Sequence, residues 1–458
     1  VAFPGPGAGG NFLEQILGDL LQLMGGTSPG GARIDLARTL AQGVASGGEP
    51  ERNVDPADRM KFEELAHIAE LHVTEITGLP ITPSGANLEI AAVAPGAWAW
   101  QTVEDWRFLL EAMAEPAPPV ETKDGVSGAK PSPPEKDRPA AKGTLGYVDT
   151  GRDPDMPADF PTPLDFDLPD FDPQGFDTQG FDPGTVAGGE SGPADLLARW
   201  MATMGPLLAA MQLGSAVGHL ARSTLGPYEL PIPRSTPRLL VVPANAARFA
   251  EDWSLDLDEV RLWVCLRELT AHAVLSRPHV AERVRELLVR VVQGMAEDTA
   301  GLVDNLQGID LTQPEALQSL LGDPTALMSL EPSPARRRAA EDLVAVVAAL
   351  LGYIEHVLDQ AALRLLGGRG AIAEAWRRRQ VDRESSERAA ELMLGLDLGP
   401  AQIDRGADFI RGVFERAGED GLARLWSGPH TLPTPAEIDA PGLWLERIDL
   451  PEPDANNR

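Results

Sequence analysis

The chain has 458 residues, 43% of them hydrophobic and only 5% aromatic, so Ala, Leu and Val must supply most of a sizeable core, and the fold class expected is mainly α with minor strand content. A formal charge of -30 argues against nucleic acid or an anionic membrane surface, which call for clustered Lys and Arg, and points to a protein or peptide partner. Cys265 is the single cysteine, which excludes an internal disulfide and a Cys-based zinc knuckle; in its apolar helical setting it reads as a small core residue.

The opening "VAFPGPGAGGNFLEQILGDLLQLMGG" lacks the basic and long apolar regions of a signal peptide, and no later stretch has the length of a membrane span, so a cytoplasmic location is expected. Leu13, Ile16, Leu17, Leu20, Leu21 and Met24 recur at helical spacing and form an apolar stripe, docked on the body or offered to a partner. In "NVDPADRMKFEELAHIAELHVTEITGLP", Asp55 and Pro56 start a helix that Gly78 and Pro80 stop. Two further helical pieces follow in "SGANLEIAAVAPGAWAWQTVEDWRFLLEAMAE", with Trp98, Trp100 and Trp106 expected in the core. Residues 11–115 thus form a first helical region.

From 116 to 192 Pro, Gly, Asp and Ser dominate and apolar periodicity disappears, which predicts a long disordered insertion. Within it Phe166, Phe171, Phe176 and Phe181 recur every five residues, each followed by Asp. That step fits neither a helix nor a strand, so the rings share no face. The segment reads either as a linker or as an acidic aromatic recruiting motif, with the four Phe as partner-binding candidates.

Order returns near Ala194, in a helix where Gly214 and Gly218 allow a neighbour to approach closely, and "PRLLVVPAN" supplies one convincing strand. Helices are then expected at about 257 to 276, 279 to 304, 335 to 366, 371 to 394 and 401 to 418. The body spans 193–430, and 431–458 reads as an extended tail anchored at most by Trp444.

The stretch "WVCLRELTAHAVL" has the shape of a zinc-peptidase helix. An HExxH helix sets two imidazoles at i and i+4 on one face, and the Glu after the first serves as general base. Against that template Arg267 stands at the first His position, Glu268 at the general-base position and Ala271 at the second His position. His272 comes one residue late, about 100° around the helix from the ligand face. A guanidinium cannot bind zinc, but it brings positive charge and can pair with Glu268 or Glu355, or else snorkel to solvent. A rearranged zinc site would use Glu268, His272, Glu355 and His356. Glu64 and His67 have a di-metal spacing without the second copy such a centre needs.

The chain resembles the zincin-like metallopeptidase family found widely in actinobacteria, whose members are often labelled hydrolases or zinc-dependent metalloproteases. The likeness lies in "GGEPERNVDPADRMKFEELAHIAELHVTEITGLP", "GSAVGHLARSTLGPYELPIP", "LLVVPANAARFAEDWSLDLDEVRLWVCLRELTAHAVL", "LGYIEHVLD" and "GLDLGPAQIDRGADFIRGVFERAGEDGLARLWSGPHTLPT". It implies a zincin-like helical fold carrying HExxH and a third ligand, a Glu just before the Gly-Tyr pair of a later helix, where this chain has Leu351. The departures fall on all three implied ligand positions, Arg267, Ala271 and Leu351. The expectation is therefore a family member with a degenerate zinc site, no cofactor and a binding or regulatory role. The alternatives are a zinc hydrolase with the rearranged site and a scaffold recruiting through the Phe-Asp segment.

Overall fold

The computed structural model describes residues 29–114, 193–306, 332–365, 370–382, 385–396 and 398–450, apart from 84, 86, 87 and 237. The side chains of 29, 193–204, 296–297, 299–306, 385–387 and 389 are not described. The chain divides into a unit of residues 1–117 with 191–458 and a second unit, 118–190, which lies outside the described residues together with its four Phe-Asp pairs. The expected helix at 11–24 also lies outside them.

The first unit is mainly helical. Helix α1 (Pro29–Ser46) and α2 (Pro56–Thr77) are followed by strand β1 (Glu89–Ala92), α3 (Pro95–Asp105) and α4 (Arg107–Ala112). Then come α5 (Pro193–Ala221), β2 (Arg238–Val241), α6 (Pro243–Asp252), α7 (Leu257–Leu275) and α8 (Pro278–Leu306). The remaining helices are α9 (Pro334–Leu365), α10 (Ala371–Val381), α11 (Ser385–Met393), α12 (Pro400–Arg424), α13 (Pro435–Ile438) and α14 (Pro441–Asp449). No helix of the described residues is long and apolar enough to cross a membrane.

Helix α2 starts and stops where its sequence says. The Asp55 carboxylate accepts from the Ala57 N–H at 2.9 Å, and Gly78, at φ 64°, closes the C-terminus in the left-handed conformation. Its buried face, Phe62, Leu65, Ala66, Ala69 and Val73, packs on α7. Helices α1 and α5 cross at the small residues: a Cβ on Gly214 would lie 2.5 Å from the Ala37 carbonyl oxygen, and one on Gly218 would lie 2.7 Å from that of Ala41. The close approach expected of these glycines is present.

Four expectations are corrected. Residues 89–92 form a strand, not a helix, in parallel register with β2 from Glu89 opposite Arg238 to Ala92 opposite Val241. The helix expected over 371–394 is divided into α10 and α11. The tail is not extended through its described length, because a 3-10 turn (Pro429–Thr431), α13 and α14 occupy it; Trp444 is fully buried and donates its indole N–H to the Thr431 carbonyl at 2.7 Å. Trp98 and Trp106 fill the core as expected, whereas Trp100 is 42% exposed with the Arg38 guanidinium over its ring.

Helix α7 is the central element, packed against α2, α6, α8 and α9. Asp256 caps it by accepting from the N–H groups of Asp258 and Glu259, both at 3.0 Å. Every residue from Trp263 to Leu275 is buried, so the helix presents no solvent face along this stretch.

Candidate functional site

In a helix buried all round, the polar residues are the informative ones. Cys265 is a core residue, as its setting suggested. Thr270 satisfies its hydroxyl locally, donating to the Leu266 carbonyl at 2.7 Å. Arg267 (5% exposed), Glu268 (1%) and His272 (6%) need partners from elsewhere.

For Glu268 and His272 a partner comes from the loop between α5 and β2. Arg234 fixes it: the guanidinium donates to the Pro227 carbonyl from Nε at 3.1 Å, to Thr102 Oγ1 at 2.8 Å and to the buried Asp105 at 3.3 Å. Asn245 Nδ2 holds the other end through the carbonyls of Ala221 (3.0 Å) and Thr224 (2.8 Å). The clamped loop presents the Tyr228 N–H to Glu268 Oε2 at 2.7 Å and the Tyr228 hydroxyl to His272 Nδ1 at 2.8 Å. Gly226 is required for this fit, since a Cβ there would fall 2.5 Å from Glu268 Cδ.

The other carboxylate oxygen, Oε1, accepts from Arg267 Nη1. Both oxygens of Glu268 are thereby engaged. The Arg267 guanidinium lies 4.7 Å from the centroid of the Trp376 ring, and Arg379 lies 4.9 Å from the same ring. Arg379 in turn pairs with buried Glu229 at 3.5 Å, and Glu229 follows Tyr228 in the chain. A closed circuit results, in which two carboxylates, two guanidiniums and one indole tie α7, α10 and the loop together.

Burial pushes the Glu268 carboxyl above its ordinary range, with Glu229 adding to the push, while Arg267 and the Tyr228 N–H pull it back. Burial likewise drives the Tyr228 phenol up, so it keeps its proton within its hydrogen bond to a neutral His272. The His272 imidazole is lowered from 6.5 to about 4, again by burial. The unfolded chain therefore binds the extra proton first. Stability from this group is fully present above pH 6.5 and is lost as pH falls toward 4, with a total on the order of 3 kcal/mol. Nitrogen-15 NMR of labelled histidine should find one ring titrating near 4. An ordinary titration in all rings, or a signal unaffected by His272→Gln, contradicts this assignment.

The residues singled out from sequence fall into two places. Arg267 takes Glu268 as its partner, whereas Glu355 pairs with Arg377 at 3.5 Å, so the alternatives of an Arg267–Glu355 pair and a solvent-exposed Arg267 are corrected. Ala271 is fully buried, and Leu351 shares a cleft wall with Arg267. His272 is committed to Tyr228, and His356 sits 3.7 Å from Glu419 with its ring 5.3 Å from that of Phe414. Glu64 and His67 are exposed on α2. Among the described residues, no group of three or more His, Cys, Asp or Glu could hold a metal ion. Gly226, Tyr228, Trp376 and Arg379 were not legible as site residues; the Gly-Pro turn before Tyr228 was the available signal.

Zinc does not fit this set. The three implied ligand positions offer a guanidinium, a methyl group and an isobutyl group, none with a lone pair for a metal, and the remaining carboxylate has both oxygens hydrogen-bonded.

No curated relative matches the sequence. A crystal structure of a presumed hydrolase with a novel fold from Chloroflexus aurantiacus is similar in fold, with a TM-score of 0.53 and 18% identity over 91% of this chain and 98% of that one. The family profile described as zincin-like metallopeptidase matches residues 33–445, nearly the whole chain, and this protein belongs to that family.

Proposed function

We propose that this family member does not hydrolyse peptides and acts by binding a protein or peptide partner. The observation that carries the reading is the buried Arg267 guanidinium at the first His position, bound to the carboxylate that would otherwise serve as general base. A general base needs a free oxygen within hydrogen-bond reach of a water. Glu268 gives one oxygen to Arg267 and the other to the Tyr228 N–H. The ion pair supplies fixed charge where the family's metal would supply it, and it keeps α7 and α10 in place with no chemistry attached.

The test is metal analysis of protein purified without chelator, run beside a peptidase assay. Zinc should lie far below one ion per chain, and added zinc should confer no chelator-sensitive cleavage. Stoichiometric zinc that survives dialysis and is lost on His272→Ala or His356→Ala would sink this reading in favour of the rearranged site.

A further inference from the structure

Arg267 also lines a cleft of about 50 Å³ between α7, α9, α10 and the start of α12. Its walls are largely apolar, supplied by Trp263, Leu351, Ile354, Trp376 and Ile403. That volume is on the scale of the end of one side chain.

The charges around the cleft do not balance. Arg267 is committed to Glu268, which leaves Arg377 as the remaining cation of the lining. Arg377 is 53% exposed and reaches Glu355, itself only 24% exposed, at 3.5 Å. Asp359 is in the lining and Asp404 follows Ile403; both act on Glu355 as like charges, and neither forms an ion pair among the described residues. Two carboxylates of the lining, Glu355 and Asp359, thus face one half-exposed guanidinium, and exposed Asp404 adds negative charge nearby. An acidic ligand would be repelled, and a purely apolar side chain would bury part of Glu355 without a cation. Lys and Arg have the complementary form, with an apolar stem for the walls and a charged end for the carboxylates. The overall charge of -30 attracts such a partner from a distance.

We propose that the cleft is a recognition pocket for one basic side chain of a protein or peptide partner, and that Arg377 is the internal cation which the partner displaces from Glu355. This deepens the binding reading above by naming its ligand class.

The experiment titrates the full chain into a dye-labelled peptide, Gly-Ala-Arg-Ala-Gly, and into its twin with uncharged citrulline in place of Arg, following anisotropy at low salt. The citrulline peptide should bind at least about fivefold more weakly, and Glu355→Gln should weaken the Arg peptide by about fivefold. Arg377→Gln should tighten it, because the internal competitor is gone, and added salt should weaken it. Equal affinity for the two peptides, indifference to Glu355→Gln in a variant of unchanged circular dichroism, or no binding at about 1 mM overturns the pocket. Mass spectrometry of the recovered peptide separates the two readings. Cleavage would refute the non-hydrolytic reading and leave the pocket standing, while absent binding of an intact peptide removes only the pocket.

Discussion

Arg267→Ala should lower the stability of the protein by about 3–5 kcal/mol, read as an earlier midpoint in urea unfolding. The substitution leaves the Glu268 carboxylate buried with a single N–H donor and removes the guanidinium from the Trp376 face. An exposed pair would yield only about 0–1 kcal/mol, so the size of the loss distinguishes a buried clasp from a surface contact. The pH dependence has a defined sign. Burial already holds Glu268 above 4.5, and removing Arg267, which opposes that rise, moves it higher still. The folded variant then holds a proton that the unfolded chain releases, so its stability is fully present below pH 4.5 and is lost as pH rises through the folded value. The deficit against wild type should therefore grow from pH 5 to pH 8. Adding Glu268→Gln should recover part of the loss by removing the stranded charge. A midpoint unchanged at both pH values would mean that the pair contributes nothing.

What the sequence revealed of this site was its chemistry in one dimension. The HExxH spacing located Arg267, Glu268 and Ala271 on α7, because helical periodicity fixes relative positions within one element. Partners across elements were out of reach. Adjacent helix positions do not normally face one another, so nothing in the spacing favoured Glu268 over Glu355 for Arg267; the choice was made by Trp376 on α10 and by the loop carrying Tyr228. The helical frame was legible for the same reason of local periodicity. Strand β1 was missed because its Ala-rich run has no strand pattern and gains its hydrogen bonds from β2, far along the chain. In the tail, prolines read as breaks, yet Pro435 and Pro441 stand in the first turns of α13 and α14, where a missing N–H costs nothing.

Gly406→Ala should also be clearly destabilising and should act through backbone geometry. Helices α9 and α12 cross where Gly352 meets Gly406: a Cβ on Gly406 would fall 1.9 Å from the Ala348 carbonyl oxygen, and one on Gly352 would fall 2.3 Å from the Gly406 carbonyl carbon. The obstructing atoms are backbone, so no side-chain rotation relieves the clash and the helices must separate. Overpacking of this kind costs about 1–3 kcal/mol or more. The same crossing brings Ile403 into the cleft with Leu351 and Glu355, so separation of α12 should also weaken binding of the Arg peptide. Gly370→Ala provides the control, since Gly370 has φ -71° and no atom of the described residues would lie within 4 Å of the added Cβ. That variant should unfold close to wild type and keep its affinity for the peptide. If Gly406→Ala behaves like Gly370→Ala in both measurements, the α9–α12 crossing is loose enough to take a methyl group, and the cleft wall does not depend on it.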